Sequence, residues 1–203
     1  MSSIVVIIVL TVFISWQGIR NVNVIDRLLF YPYRIKRNKE IYRFISHLFV
    51  HGGVAHLTFN MISLYSIGSF FEYQLKVFQG DINGMIHFIF LYILGGLSST
   101  IYCYYKNQNN LSYRSLGASG AVSSIIFASI IWNPKMTLYL FLLPFTIPAY
   151  IFGPLYLIFE YFAFRRGATG IANDAHISGA IFGIIYVLII DFEKGKQFLD
   201  LIL

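Results

Sequence analysis

Long apolar runs dominate this sequence and constrain its fold more than any other feature. Six of them, separated by shorter polar segments, cover approximately residues 2–19, 55–75, 82–105, 117–132, 149–165 and 175–191. A helix needs about 20 predominantly apolar residues to cross a bilayer core. Inside lipid, every backbone polar group must be satisfied within the protein, which leaves helices and closed barrels as spanning structures. The run lengths therefore predict an all-α membrane protein with six transmembrane helices.

The composition agrees with a membrane protein and excludes several other classes. Hydrophobic residues make up 57% of the chain and charged residues only 12%, whereas a soluble domain carries about 25% charged residues. The net charge of +6 is spread along the chain, which favours attraction to a membrane surface over nucleic-acid binding. We expect a single membrane domain over residues 1–192, a short interfacial tail over 193–203, and the lipid bilayer as a partner.

Two segments differ from a plain bundle of spanning helices. The fourth run, 117–132, is short and opens with the small and hydroxylated residues LGASGAVSS, which predicts a helix that begins below the membrane surface. The first loop, about 20–54, mixes basic with aromatic side chains, a combination that suits the headgroup region. We expect a short central fourth helix and a long, partly embedded first loop; the alternative for the loop is a solvated charged segment.

The second run carries polar side chains, which are costly inside a membrane and usually mark function. His56 and Asn60 are four residues apart and lie on one face of a helix. They could donate hydrogen bonds to a developing negative charge, or they could join helices structurally. With His51 they also raise the idea of a metal site, but no carboxylate or cysteine in this segment completes a ligand set. We therefore expect no metal.

The fourth run begins with a serine between glycines. The stretch 117–120 reads Gly-Ala-Ser-Gly and precedes an apolar helix, which places Ser119 at or near a helix N-terminus. Free backbone N–H groups and the helix dipole favour an oxyanion there. The Ser119 backbone N–H would then join His56 and Asn60 as oxyanion donors. Taken alone, such a pattern is weak, because in a membrane helix it more often reflects tight helix packing or an N-cap.

The sixth run carries a histidine on the same helical face as two glycines. His176, Gly179 and Gly183 share this face, and the Gly-x-x-x-Gly spacing lets two helices approach closely. Small residues also recur every four positions along the fourth run, at Gly120, Ser124 and Ala128. If the two faces meet, His176 lies near Ser119 and can act as its general base. Asp174 would point the wrong way along the helix, so we expect a Ser–His dyad without a carboxylate.

Together these motifs resemble those of the rhomboid intramembrane serine proteases of the minimal six-span bacterial type, over essentially the whole chain. The matching motifs are His51-x4-His56-x3-Asn60, Gly117-Ala118-Ser119-Gly120 and Ala175-His176-x2-Gly179-x3-Gly183. Each motif is weak alone, but all three in this order are specific. Tyr42-Arg43 resembles the family's tryptophan–arginine element of the first loop, and Glu72 falls where the family places a structural glutamate.

The resemblance implies a serine endopeptidase, without cofactor, that cuts other membrane proteins in or near their transmembrane helices. Ser119 would be the nucleophile and His176 the base and later the acid, with His56 and Asn60 in the oxyanion hole. A water-filled cavity below the membrane surface is also implied. The implied supporting residues are His47, His51, Gly117, Gly120, Gly179, Gly183, Arg43 and Glu72.

Two features depart from the family pattern. Ser123 stands four residues after Ser119, where the family often has an aromatic residue that stacks on the base. Either another ring takes this role or His176 is held less firmly. The family's usual orientation, in a bacterial inner membrane with the site opening to the extracytoplasmic side, also leaves most lysines and arginines outside, against the positive-inside rule. We follow the family orientation, because a first loop embedded in headgroups would make the charge count misleading.

Two other functions compete with a protease. One is a catalytically inactive rhomboid-like protein that binds transmembrane helices, although such relatives generally lack the serine or the histidine. The other is a small transporter or channel that uses the histidines as a proton relay. A transporter typically has broken helices and an inverted repeat, and neither is visible in the sequence.

Overall fold

A computed structural model describes residues 2–139, 145–166 and 172–202, and most of these residues are helical. In chain order the α-helices are α1 (Ser3–Arg20), α2 (Val22–Leu28), α3 (Pro32–Asn38), α4 (Arg43–Ser46), α5 (Val54–Gln79), α6 (Asp81–Asn107), α7 (Ser119–Trp132), α8 (Ala149–Arg166), α9 (Asn173–Ile190) and α10 (Phe192–Ile202). A 3₁₀-helix (His47–Phe49) follows α4. Strands β1 (Thr137–Tyr139) and β2 (Thr146–Pro148) pair antiparallel between α7 and α8.

The predicted apolar runs correspond to α1 and to α5 through α9. Within the described part of the chain, three helices are long and apolar enough to cross a membrane, namely α1, α6 and α9, and α7 is apolar but shorter. Helices α5 and α8 are more polar. Helix α5 carries His56 and Asn60, and α8 carries Glu160, Arg165 and Arg166. Several apolar helices thus agree with a membrane bundle.

Two regions differ from the all-helical expectation. The strands β1 and β2 form a short hairpin, with Leu138 opposite Ile147. Strand β2 ends at Pro148, which has no backbone N–H to donate to a neighbouring strand. Because proline also disfavours a helical conformation in the residue before it, α8 begins only after Pro148, at Ala149. The first loop is also more regular than expected, since α2, α3, α4 and the 3₁₀-helix lie within it. The predicted tail is the helix α10.

Helix α7 lies at the centre of the bundle. It contacts α5, α6, α8, α9 and α10, and all of its residues except Ser119 and Ile126 are buried. Its sequence explains this position, because a helix that is apolar on all sides is stable only when it is covered on all sides. The first residue of this central helix is Ser119.

Helices α7 and α9 meet backbone to backbone. A Cβ atom built on Gly179 would lie 2.1 Å from the carbonyl oxygen of Gly120, and one built on Gly183 would lie 2.0 Å from that of Ser124. No side chain fits at either glycine without moving the helices apart. At the upper end of this contact, a Cβ on Gly120 would lie 3.4 Å from the carbonyl oxygen of Ala175. The glycine spacing therefore brings the first turns of α7 and α9 together.

The first loop is bonded to the segment that leads into α7. Phe30 and Ser115 exchange backbone hydrogen bonds of 2.9 and 3.1 Å, and the Gly117 N–H donates to the His47 carbonyl at 3.0 Å. Inside the loop, Arg43 is only 1% exposed and donates to the carbonyl oxygens of Asp26 and Leu29, both at 2.8 Å. A buried guanidinium with such partners holds the loop in one arrangement, and the loop in turn positions residues 115–117.

Candidate active site

Ser119 opens α7 at a sharp turn. The residue two before it, Gly117, has φ of 113°, a conformation that side chains rarely tolerate. Ser119 itself is half-buried, and the backbone N–H groups of a first helical turn have no partner within their own helix. A small cavity beside Ser119, lined also by Ser99, Thr100 and Ala175, has room for about one water molecule.

His51 supports this turn and uses both ring nitrogens to do so. Its Nε2 accepts the Ala118 N–H at 3.3 Å, so Nδ1 carries the proton and donates to Ser15 Oγ at 2.8 Å. The Ser15 hydroxyl donates onward to the Phe49 carbonyl at 2.9 Å. Burial, and then the neighbouring histidines, lower the pKa of His51 to about 3. His51 is therefore a neutral residue that holds the turn before Ser119.

His47 is a second neutral histidine on the loop side. Its Nδ1 lies 3.0 Å from the carbonyl oxygen of Arg43, to which it donates, and its ring centroid lies 5.5 Å from that of Phe30. Burial lowers the pKa of His47 to about 4. Because its own carbonyl accepts the Gly117 N–H, His47 links the first loop to the turn.

His56 lies in the first turn of α5 and packs against the same turn. A Cβ on Gly117 would lie 2.7 Å from His56 Cε1 and 2.9 Å from Nε2, so the absence of a side chain there makes room for the imidazole. The His51 and His56 ring centroids are 4.9 Å apart, edge to face. Asn60 is buried, and its Nδ2 donates to the His56 carbonyl at 2.9 Å. One of its two amide hydrogens is thus used within its own helix.

His176 lies in the first turn of α9 and is half-buried. Its Nδ1 is 3.0 Å from Glu160 Oε1 and 3.4 Å from the Tyr156 hydroxyl, both on α8. The glycine contact places Ser119 and His176 at the same end of the α7–α9 pair. Within the described ranges, no hydrogen bond joins Ser119 Oγ to His176.

Glu160 was not identified from the sequence. It is 4% exposed and accepts a hydrogen bond from Asn173 Nδ2 at 2.6 Å as well as facing His176. The signal available was a lone acidic residue within the apolar run 149–165, since charged side chains in such runs are costly and usually paired. Asp174, the carboxylate closest to His176 in sequence, instead accepts the Ala175 N–H at 3.0 Å.

The aromatic residue beside His176 comes from α8. Ser123, one turn after Ser119, is buried and lies within hydrogen-bond reach of the Tyr156 hydroxyl. The Tyr156 ring packs against Phe127 and Phe152, with centroids 5.8 and 5.6 Å apart. The small serine on α7 therefore leaves space that Tyr156 occupies from the neighbouring helix.

Glu72 lies apart from these residues. It accepts from the Ser3 N–H at 2.9 Å and from Ser3 Oγ at 2.6 Å, and it pairs with Lys76 at 3.1 Å. Glu72 therefore joins the start of α1 to α5. Across the described residues, no group of three or more histidine, cysteine or acidic side chains is arranged to hold a metal ion.

Comparison with known proteins identifies the family. The profile of the Rhomboid domain matches residues 38–191. Similar proteins include RHOMBOID-like protein 12, mitochondrial, of Arabidopsis thaliana, which is 25% identical over 182 residues, covering 83% of this chain and 52% of that protein. Rhomboid protease GluP of Bacillus subtilis is 28% identical over 171 residues, covering 81% and 30%. Rhomboid protease GlpG of Haemophilus influenzae is 29% identical over 175 residues, covering 85% and 81%.

The match extends over the segments that build the site. It begins in the first loop and ends at the close of α9, so it includes the histidines, the turn before Ser119 and the glycine contact. The chain spans about half the length of the plant relative and less than a third of the Bacillus one. The family indicated by the sequence motifs is confirmed: this chain belongs to the rhomboid family and is an integral membrane protein.

Proposed function

We propose that this protein is an intramembrane serine endopeptidase that hydrolyses peptide bonds in or near the transmembrane helices of other membrane proteins. The observation that carries the proposal is the backbone contact of α7 with α9, which brings Ser119 and His176 to one end of a helix pair. Two relatives that are named rhomboid proteases support the reaction class.

The proposed reaction follows from the side chains at this end. Ser119 Oγ attacks the scissile carbonyl carbon while His176 Nε2 takes the hydroxyl proton. The Ser119 N–H, His56 and Asn60 donate to the oxyanion. Protonated His176 then gives its proton to the leaving amine, and a water molecule, activated by the same nitrogen, hydrolyses the acyl-enzyme. The hydrogen bond between nucleophile and base is often long in a free enzyme and tightens when substrate binds.

The membrane arrangement is part of the proposal. Helices α1 and α5 through α9 make six spans, with α7 starting below the surface so that water reaches Ser119. The protein lies in a bacterial inner membrane, and the site opens to the extracytoplasmic side; the plant relative is named as mitochondrial.

Cysteine labelling tests this orientation. Cys103 is buried, so a single cysteine introduced at the surface reports on which side of the membrane it lies. An impermeant maleimide added to intact cells should label Asn38→Cys and leave Lys196→Cys unlabelled, and the reverse pattern would invert the orientation.

The decisive experiment uses reconstituted protein and a single-span substrate with small residues near one end of its helix. Ser119→Ala should lose cleavage, and a fluorophosphonate probe should label wild type at Ser119. The matched control is Ser129→Ala, because the Ser129 hydroxyl donates to the Ile125 carbonyl of the same helix at 2.8 Å. Undiminished cleavage by Ser119→Ala would refute a serine protease.

A second experiment tests the oxyanion donors. His56→Ala or Asn60→Ala should lower the turnover number by about one to three orders of magnitude, as removal of an oxyanion donor does in other hydrolases. His56 lies beside the turn before Ser119, whereas one Asn60 hydrogen is used within α5, so we expect the larger loss for His56→Ala. Unchanged turnover in both variants would exclude this role.

The second candidate function is an inactive rhomboid-like protein that binds transmembrane helices. The observation in its favour is that Ser119 Oγ makes no hydrogen bond to His176 in the described structure. Such a protein would bind the single-span substrate without cutting it, and the fluorophosphonate probe would leave Ser119 unlabelled. Labelling of Ser119 together with cleavage would exclude it.

A further inference from the structure

Glu160 occupies a position where a carboxylate needs a specific reason. Its neighbours on α8 point outwards, with Phe159, Tyr161 and Phe162 all more than half exposed, whereas Glu160 points inwards and is 4% exposed. A carboxylate buried in a membrane helix is costly unless it is paired or hydrogen-bonded.

Both carboxylate oxygens of Glu160 meet α9. Oε2 accepts from Asn173 Nδ2 at 2.6 Å, and Oε1 lies 3.0 Å from His176 Nδ1. Asn173 thus orients the carboxylate, and the carboxylate faces the base of the proposed reaction. Tyr156, one turn earlier on α8, places its hydroxyl 3.4 Å from the same nitrogen.

The contact determines which imidazole nitrogen can react. A carboxylate only accepts hydrogen bonds, so Nδ1 must carry a proton to bond with it, and Nε2 is left with the lone pair that takes the serine proton. When Nε2 becomes protonated, the positive imidazolium lies beside the negative carboxylate in a site of low dielectric. A carboxylate that orients histidine in this way has the same role as the third member of a serine-protease triad.

The geometry points to Glu160 as a positioning residue that holds His176 in the reactive tautomer and stabilises its protonated form. This inference rests on the proposed serine protease function and adds a carboxylate to the Ser–His pair. The carboxylate comes from α8, sixteen residues before the histidine in sequence, and therefore from a different helix.

Few other ionisable groups lie close to the Glu160–His176 pair. On α8 the neighbour is Tyr156, and on α5 the imidazole of His56 lies within electrostatic range of His176. On α9, Asp174 lies towards Cys103 and Tyr113. The facing surface of α7 contributes the hydroxyl of Ser123. Among the described residues, Glu160 is therefore the carboxylate that contacts His176.

Two substitutions separate a charge role from a packing role. Glu160→Gln keeps the size but replaces one oxygen by an N–H donor, which favours the wrong tautomer; Glu160→Asp keeps the charge but shortens the side chain. If Glu160 acts through His176, the turnover number should fall at least about tenfold in Glu160→Gln, with KM nearly unchanged, and less in Glu160→Asp. A residue that only fills space gives the reverse order, and that order would overturn the inference.

The matched control is Glu72→Gln. Glu72 is also a buried carboxylate in a long helix, with donors from Ser2 and Ser3 and a lysine partner, and none of its hydrogen-bond or ion-pair partners in the described chain is His56, Asn60, Ser119 or His176. Its substitution should lower the thermal unfolding midpoint and leave the turnover number of the folded fraction unchanged. Equal turnover losses in Glu72→Gln and Glu160→Gln would assign both effects to stability and overturn the role of Glu160.

A measurement that needs no Glu160 variant tests the inference even if the Glu160 variants fail to fold. In ¹⁵N-histidine spectra of Ser119→Ala protein, the signals missing from Ser119→Ala, His176→Asn protein belong to His176. At a pH where the ring is neutral they should show the proton on Nδ1, and a neutral ring with its proton on Nε2 would overturn the inference. Cleavage that survives Ser119→Ala would instead refute the protease itself, so the two failures are distinguishable.

Discussion

His51 and His176 both lie near the start of α7, yet their ring nitrogens meet different partners. His51 is fully buried and uses one nitrogen for the Ala118 N–H and the other for the Ser15 hydroxyl. His176 is half-buried and has a carboxylate at Nδ1. His51 therefore has both nitrogens engaged by neutral groups of the protein, whereas His176 meets an acidic side chain through Nδ1.

The difference shows that the partner, more than the residue type, determines what a histidine can do. A buried imidazole between a hydroxyl and an amide gains nothing from a proton and acts as a rigid connector. An imidazole beside a carboxylate gains an ion pair when it takes a proton. Four experiments, in order of decreasing expected effect, test this comparison.

The largest effect is expected from the histidines themselves. His176→Ala should reduce kcat/KM at least about a thousandfold while the protein stays folded, since it removes the proposed base. His51→Ala should mainly lower the thermal unfolding midpoint, with a smaller loss of kcat/KM. Cleavage rates and thermal melts of both variants in one detergent check this. Equal kcat/KM losses at equal folded fraction would remove the distinction between the two histidines.

The next effect tests the contact that brings His176 to α7. Gly183→Val places side-chain atoms where a Cβ already lies 2.0 Å from the Ser124 carbonyl, so the helices must separate. We expect about 1–3 kcal/mol lower stability and reduced cleavage, measured by chemical unfolding and turnover. The control is Gly153→Ala on α8, whose Cβ would meet side-chain atoms of Ile130 at 3.4 Å and of Phe127 at 3.6 Å and no backbone atom among its three nearest neighbours. Similar losses of stability and turnover in both variants would show that the α7–α9 contact matters no more than the packing at Gly153.

A smaller effect tests the loop side. Gly117→Ala puts a side chain on a residue with φ of 113° and 2.7 Å from His56 Cε1. A left-handed conformation costs an alanine about 1–2 kcal/mol, and relief of this strain would displace the turn before Ser119. We therefore expect about a tenfold loss of turnover, with the contact of His176 to Glu160 unchanged. Gly53→Ala, where a Cβ would meet no atom within 4 Å, is the control. Full activity in Gly117→Ala would show that the turn tolerates a side chain.

The smallest effect is a pH dependence of stability. The folded pKa values of about 3 for His51 and about 4 for His47 lie below the usual value of 6.5, so the unfolded chain binds more protons below pH 6.5. Stability should be complete above pH 6.5 and decline as the pH falls, by about 1 kcal/mol per histidine between pH 6.5 and 5.5. Melts of Ser119→Ala protein measure this. His51→Asn should flatten the decline, and a pH-independent midpoint would contradict it.

Much of the helical architecture could be predicted from local patterns. Run length located α1 and α5 through α9 to within a few residues at most ends, because each helix satisfies its own backbone. The hairpin β1–β2 was missed, since strands of three residues have no periodic signal of their own. The small residues of α7 and the glycines of α9 indicated a close helix contact, and these helices do meet there.

The sequence by itself determined that this chain forms membrane helices of the rhomboid family, because apolar length and glycine spacing act over one or two helical turns. Only the tertiary structure decided which histidine meets which partner. Glu160 and His176 lie on separate helices, and their contact depends on how α8 is rotated about its axis. The same holds for Ser15 and His51, thirty-six residues apart. Such pairings arise when helices pack, and no local pattern encodes the rotation that brings two particular side chains together.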